Sequence, residues 1–204
     1  MSRVYAWDGI VPVIDPAAFV HPEAVVIGDV IVGPGCYVGP GAVLRGDFGQ
    51  IVLERGCNVQ ETCVVHSFPG KDVVIAEAGH IGHGAVLHGC RIGRNAMVGM
   101  NAVVMDEAEV GENTIVAAMA FVKAGAVLPP GVLAVGSPAK VVRPLSEEEI
   151  AWKRQGTGVY QRLAIEAAQK IVPAEPLAAP EPGRRRAEAP AYDPLVLARA
   201  GFAE

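Results

Sequence analysis

The segment "RIGRNAMVGMNAVVMDEAEVGENTIVAAMAFVKAGAVL", residues 91–128, places an aliphatic side chain at every sixth position: Ile92, Val98, Val104, Val110, Val116, Val122 and Leu128. The same phase runs upstream through Ile14, Val20, Val26, Val32, Val38 and Leu44, and in between through Leu53, Val59, Val65, Ile75, Ile81 and Leu87. Four positions after most of these stands a small or β-branched residue, as at Ala24, Cys36, Cys63, Ala85, Ala102 and Thr114. Glycine often follows the aliphatic residue directly, as at Gly39, Gly82, Gly99 and Gly111. A period of six matches neither the 3.6 of a helix nor the 2 of an isolated strand; it is the signature of a hexapeptide β-helix. Each hexad supplies one short strand and a turn, and three make a coil. Nineteen hexads therefore predict an all-β solenoid of about six coils, stacked at the roughly 4.8 Å strand spacing.

Three irregularities interrupt the phase: three extra residues around "GDFGQ" (46–50), four around "SFPGKD" (67–72), and one missing between Leu87 and Ile92. Insertions in a solenoid loop out at corners, where binding sites are usually built. The repeat ends with "VGSPAKVVRPL", residues 135–145, so residues 1–145 form the expected β-helix domain. "SEEEIAWKRQ" then opens a C-terminal α-helix over 146–172, with Ser146 as N-cap and Glu149 completing a capping box. Gly156 and Gly158 are expected to interrupt it, and Ile150, Leu163 and Ile165 to form its buried stripe, with Trp152 and Tyr160 as anchors near a subunit boundary. Residues 173–204, rich in Pro and Ala with mixed charge, read as a flexible tail.

Composition narrows the function. The chain of 204 residues is 51% hydrophobic and 19% charged, enough to bury a core, and its net charge of -5 argues against a nucleic-acid surface. Its one basic run, "GRRR" at 183–186, lies in the tail. No apolar run is long enough to span a membrane and no secretory leader is evident, so a cytoplasmic setting is expected. Cys36, Cys57, Cys63 and Cys90 have no CxxC spacing and read as small buried side chains.

Three of the five histidines fall within "GHIGHGAVLHGC", residues 79–90. Counting hexads in threes puts Val26, Leu44, Val65, Leu87, Val104 and Val122 in one inward column. The residues one position later, including Arg45, His66 and His88, then form an outward column. His66 and His88 should stack about 5 Å apart, near enough to share a metal. His83 follows Ile81 on the preceding face, across a corner, and can join them only from a neighbouring subunit. His80 reads as a corner residue with a supporting or structural role.

The stretches "RGDFG" (45–49), "NVQETCVVH" (58–66) and "GHGAVLHGC" (82–90) resemble the γ-class carbonic anhydrase family of hexapeptide proteins. Residues 79–125 are most similar to its phenylacetate-degradation branch, PaaY, with a carnitine-operon relative nearby. The resemblance covers roughly residues 4–170. It implies a left-handed β-helix and a homotrimer with a metal at each subunit interface, held by His66 and His88 of one chain and His83 of the next. Three imidazoles suit Zn2+, Co2+ or Fe2+ and leave an open position where the bound water ionises near neutral pH. The family pattern further implies Arg45 and Asp47 as an interfacial ion pair, with Asn58, Gln60 and Glu61 lining the site as the catalytic set. Glu61 shares a column with His83, one coil earlier, which suits a carboxylate that orients a ligand or accepts a proton.

Two departures separate the chain from efficient carbonic anhydrases. Phe48 stands where the family's "RGD" is followed by an acidic residue, and the loop that should carry a proton-shuttling Glu is only "SFPGKD". Rapid CO2 hydration needs proton export. The resemblance to the phenylacetate-degradation branch implies instead a metal-hydroxide thioesterase on hydroxylated phenylacetyl-CoA-type substrates, with reversible CO2 hydration as the alternative. A hexapeptide acyltransferase with a His general base, and a non-catalytic trimeric assembly protein, are further alternatives. No protein nucleophile is expected, since Ser67 lacks a GxSxG context.

Overall fold

The computed structural model describes residues 3–188 and 190–201. Residues 1–2 of the expected β-helix domain, and 189 and 202–204 of the expected tail, lie outside the described residues. The chain winds into a parallel solenoid of about seven turns. Its inward column has the register that the six-residue phase requires: Val26 pairs with Leu44, Leu44 with Val65, Val65 with Leu87, Leu87 with Val104 and Val104 with Val122. All six are at most 1% exposed, and burying each such side chain is worth about 1.5–3 kcal/mol.

Seven turns, rather than six, arise because the terminal coils carry weaker signals. Arg3–Tyr5 pairs in parallel with Val25–Ile27 ahead of the first clear hexads. At the far end the inward partner of Val116 is Ala134, too small to register as an aliphatic beat. On this face the growing edge is closed by Lys140–Pro144, which returns antiparallel to Val132–Val135.

The turns explain the other periodic residues. Asn95, Asn101, Glu107 and Asn113, six apart, all adopt left-handed backbone with φ between +53° and +57°, a region that Asn tolerates better than most residues. Glycine follows the aliphatic beat because successive coils touch there. A Cβ on Gly82 would lie 2.9 Å from the Met100 nitrogen, and one on Gly111 2.5 Å from the Pro130 nitrogen. All four cysteines are free and buried, filling small inward positions.

One face of the prism comprises the strands Phe19–Val20, Tyr37–Val38, Asn58–Val59, His80–Ile81, Met97–Val98, Ile115–Val116 and Val132–Val135. Helix α1 (Glu147–Lys170) contacts the earlier strands of this face. Its start is the capping box read from sequence: Glu149 N donates to Ser146 Oγ at 3.3 Å, and Ser146 N donates to Glu149 Oε2 at 3.0 Å. Arg143 holds the same carboxylate through two bonds of 2.7 and 2.8 Å.

Three expectations about this region are corrected. First, α1 runs through Gly156 and Gly158 without a break. Tertiary packing outweighs the roughly 1 kcal/mol helix cost of each glycine, because Gly156 forms a notch that receives Tyr192 of the returning tail. Second, Leu163 and Ile165 are 37% and 60% exposed, and Ile150 is half-buried. The buried face is Lys153, Gly156, Thr157, Ala164 and Ala167, small or polar residues that let the helix sit close to the strands. Third, part of the tail is docked. Tyr192 stacks on Trp152 at 5.3 Å, Trp152 Nε1 donates to the Asp193 carbonyl at 2.8 Å, and a short helix α2 (Leu195–Gly201) follows. Trp152 thus anchors the tail.

Beneath α1 lies a buried polar layer rather than an apolar one. His80 is in a strand, not at a corner, and Tyr160 caps its ring edge-on at 5.3 Å. The Gln60 amide donates to His80 Nε2 at 2.8 Å, while Asn58 and Thr157 lie 3.3 and 3.4 Å from Nδ1. Lys153 Nζ donates to the Ala78 carbonyl at 2.7 Å and to Asn95 Oδ1 at 2.9 Å. Burial, with help from Lys153 and His83, pushes His80 down to about 3, and burial pushes Lys153 down to about 7.

Both shifts act in one direction. The unfolded chain binds the extra proton at His80 between pH about 6.5 and 3, and at Lys153 between about 10.5 and 7, so stability falls as pH drops through either window. Urea unfolding across pH 4–6 is expected to show a loss of up to about 1.4 kcal/mol per pH unit from His80. His80→Gln should flatten that limb; an unchanged slope in the variant would remove His80 as its source.

Gly156→Ala tests the notch. An alanine Cβ would stand 2.5 Å from the Tyr192 hydroxyl, so Tyr192 should leave Trp152, altering its fluorescence and exposing residues 191–201 to protease. The lost ring pair, about 0.5–1.5 kcal/mol, and the helix gain of about 1 kcal/mol nearly cancel. Global stability should therefore stay within about 1 kcal/mol of wild type.

Candidate functional site

Arg45, His66 and His88 follow the inward residues Leu44, Val65 and Leu87, so alternation turns them outward on adjacent coils, paired in register. The imidazole centroids of His66 and His88 are 5.0 Å apart, the stacking distance expected from the hexad count. The two insertions sit beside this pair. The first is the register shift opposite Gly28 and Val30 within the long strand Val43–Leu53. The second is the tight turn closed by Phe68 and Lys71. Gly70 N donates to the Phe48 carbonyl at 2.9 Å, and Gln50 N to Asp72 Oδ1 at 2.9 Å, so the loops stack as the coils do. This sets the Phe48 ring 5.3 Å from His66 and the Phe68 ring 6.0 Å from His88.

The two imidazoles are held by carboxylates at both ends. His66 Nε2 lies 3.0 Å from Asp47 Oδ1, and His88 Nδ1 bonds Asp106 Oδ1. Arg45 Nη1 donates to Asp47 Oδ2 at 2.5 Å. Burial raises the Asp47 carboxyl, but His66 and Arg45 outweigh it and hold the group below its ordinary value, an acceptor at neutral pH. With each outer ring nitrogen against a carboxylate, the inner nitrogens, His66 Nδ1 and His88 Nε2, face each other at 3.1 Å, and Arg45 Nη2 lies 3.5 Å from His66 Nδ1. Two nitrogens bound tetrahedrally to one ion at 2.0–2.1 Å lie about 3.3 Å apart, so this donor pair fits a divalent metal.

His83 belongs to a second group. Its Nδ1 lies 2.5 Å from Glu61 Oε2, and the Tyr37 hydroxyl donates to Glu61 Oε1 at 2.9 Å. Burial raises the Glu61 carboxyl, but its own backbone N–H, Tyr37 and His83 outweigh this and hold it below the usual range. The His83 side chain is 46% exposed. Among the described residues, no three His, Cys, Asp or Glu side chains of one chain close a metal-binding group.

Asn58 and Gln60 are corrected in position: both are buried under α1, bonded to each other and to His80 rather than lining an open site. They precede and follow the inward Val59, and α1 covers the face on which they emerge. Asp106 was missed by sequence reading, although it stands 18 residues after its partner His88, one coil on. The candidate nucleophiles, Ser67 and the four cysteines, are all buried, although a hydrogen bond with Cys57 draws the Cys36 thiol below its ordinary value. Ser67 Oγ is buried and makes no hydrogen bond among the described residues, so no base activates it. Burial pushes the thiols of Cys63 and Cys90 up to about 11 and 12.

Comparison with known proteins agrees with the repeat. Residues 12–46 and 89–124 match the family "Bacterial transferase hexapeptide (six repeats)". The carnitine operon protein CaiE of Proteus sp. is 51% identical over 183 residues, 90% of this chain and 93% of that protein. It bears the carnitine name and not the phenylacetate name toward which the motifs pointed. Among solved structures, a hexapeptide transferase family protein from Anaplasma phagocytophilum aligns with TM-score 0.77 at 38% identity, over 79% of this chain and 96% of that one. A putative acetyltransferase from Bacillus cereus aligns with TM-score 0.79 at 30% identity, over 81% and 98%. The chain belongs to the hexapeptide-repeat family, in the group of the CaiE carnitine operon proteins.

Proposed function

We propose that this protein is a metal-dependent hydrolase of acyl-CoA thioesters, a homotrimer of the γ-carbonic anhydrase-like kind. His66 and His88 of one copy and His83 of the next would hold one Zn2+, Co2+ or Fe2+. The observation that carries this reading is the convergence of the inner His66 and His88 ring nitrogens, with Asp47 and Asp106 against the outer ones. The ion, when bound, supplies Lewis acidity and hydroxide near neutral pH.

The chain's own residues do the rest. Asp47 and Asp106 fix the tautomers, and Arg45 braces Asp47. Phe48 and Phe68, 49% and 43% exposed, wall the imidazole pair with apolar surface where an acyl group can shed water. The same two rings favour a thioester over CO2, because they offer no titratable group to carry protons away. Acyl transfer with a histidine base is disfavoured in this reading, because the inner nitrogens of His66 and His88 would be taken up by the ion.

Side-by-side assays should test arylacetyl-CoA, implied by the sequence resemblance, carnitinyl-CoA, suggested by the relatives' name, and CO2 hydration. Thioester hydrolysis is expected to vanish on chelation and return with Zn2+, Co2+ or Fe2+. An undiminished rate in fully metal-free protein, an acyl group trapped on the chain, or CO2 hydration with the higher kcat/KM would overturn the proposal.

Shared sites give a second test. His66→Ala and His83→Ala subunits, each inactive alone, should regain all three ligands at about one quarter of interfaces after random exchange. Activity should recover in proportion. Asp106→Asn should weaken metal binding by about 10- to 100-fold, read by competition with a chelator.

A further inference from the structure

We infer that Tyr37 is a positioning residue for the third imidazole: by fixing Glu61 it sets the tautomer of His83. This rests on the metal-site reading above.

Tyr37 lies in the strand Tyr37–Val38 under α1 and touches neither His83 nor the His66 and His88 pair by any hydrogen bond. Its hydroxyl occupies Glu61 Oε1 at 2.9 Å, which leaves Oε2 to accept from His83 Nδ1 at 2.5 Å. Glu61 is a long side chain with several rotatable bonds, one third exposed, and on its own it would lose considerable freedom to stay in that pose. The Tyr37 bond removes that freedom from one end. A proton held on Nδ1 leaves Nε2 as the lone pair, the form a metal ligand needs.

The tyrosine is itself immobilised. It is 4% exposed, its ring stacks on Phe19 at 5.7 Å and 22°, and Tyr160 of α1 tilts against it at 5.6 Å. Burial and then the bond to Glu61 push its hydroxyl well above the ordinary value, so it remains a donor. Helix α1 thereby braces, through Tyr160 and Tyr37, a histidine beyond Glu61. The arrangement also gives Glu61 a holding task, since one oxygen meets Tyr37 and the other His83.

Tyr37→Phe keeps the ring stack and removes only the hydroxyl, so fold and melting temperature should change little. Two readouts decide the role. In metal-free protein, 15N spectra of the imidazoles should show His83 held as the Nδ1–H tautomer in wild type and redistributed between tautomers in Tyr37→Phe. In titrations with Co2+, the variant should bind about tenfold more weakly with a changed absorption spectrum, the usual size of an outer-shell effect. Wild-type tautomer, affinity and spectrum in Tyr37→Phe would overturn the inference. A wild-type protein that bound no Co2+, or a His83→Ala variant that bound it as well as wild type, would instead overturn the metal reading. The tautomer measurement would still decide for or against Tyr37.

Discussion

Everything in this molecule depends on the coil-to-coil strand ladder, because it makes sequence distance and spatial position interchangeable. Once Val26, Leu44, Val65, Leu87, Val104 and Val122 are buried in one column, each neighbouring residue is fixed in direction by alternation. A slip of one residue would turn an entire face inside out. The short strands have little stability alone, and only the ladder and the shared apolar interior hold them. The ladder also dictates what the insertions can be. Extra residues cannot enter a coil without breaking it, so "GDFGQ" and "SFPGKD" leave at corners and stack on each other.

That constraint explains why part of the candidate site is legible in the sequence alone. His66 and His88 differ by 22 residues, yet subtracting a four-residue insertion gives one coil, and they pair in register. The separation of His83 follows from the same count. The limit is side-chain reach. Asp106 sits one coil on and one position along from the His88 column, and only the direction of the imidazole Nδ1 shows that it matters. Asn58 and Gln60 fail for a different reason. Alternation places them on an outer face, but what covers that face is decided by α1, which obeys no hexad rule.

The helix itself is misread from sequence because its buried side is chosen by fit and not by hydrophobicity. A search for an apolar stripe selects Leu163 and Ile165, which point to solvent. The helix instead presents Gly156, Thr157, Ala164 and Ala167, and brings Lys153 into contact with main-chain and amide oxygens. A flat sheet face of two-residue strands, carrying Asn58, Gln60 and His80 outward, has polar atoms that need partners. Asn58, Gln60 and His80 partner one another, Thr157 reaches His80, and Lys153 takes the Ala78 carbonyl and Asn95, while small neighbours allow the approach. The sequence contains this information only as a pairing between distant segments, which periodicity does not reveal.

The division of labour between faces follows. One face carries the two imidazoles whose inner nitrogens converge, tied at the outside by Asp47 and Asp106; the adjoining corner carries His83, tied by Glu61 and Tyr37 to the helix-covered side. Each group is polar, has its imidazoles against carboxylates, and is rooted in the coil ladder. Neither group closes on itself. His66 and His88 present two donors to a space that a third could complete, and His83 keeps half its surface exposed on a different side of the same prism. A prism with such halves on two sides satisfies both when copies stand side by side around a threefold axis, because each contact then joins one of each. The ladder fixes the height of each half along the prism axis, so in the proposed trimer the register that builds the core would also decide whether the two halves meet.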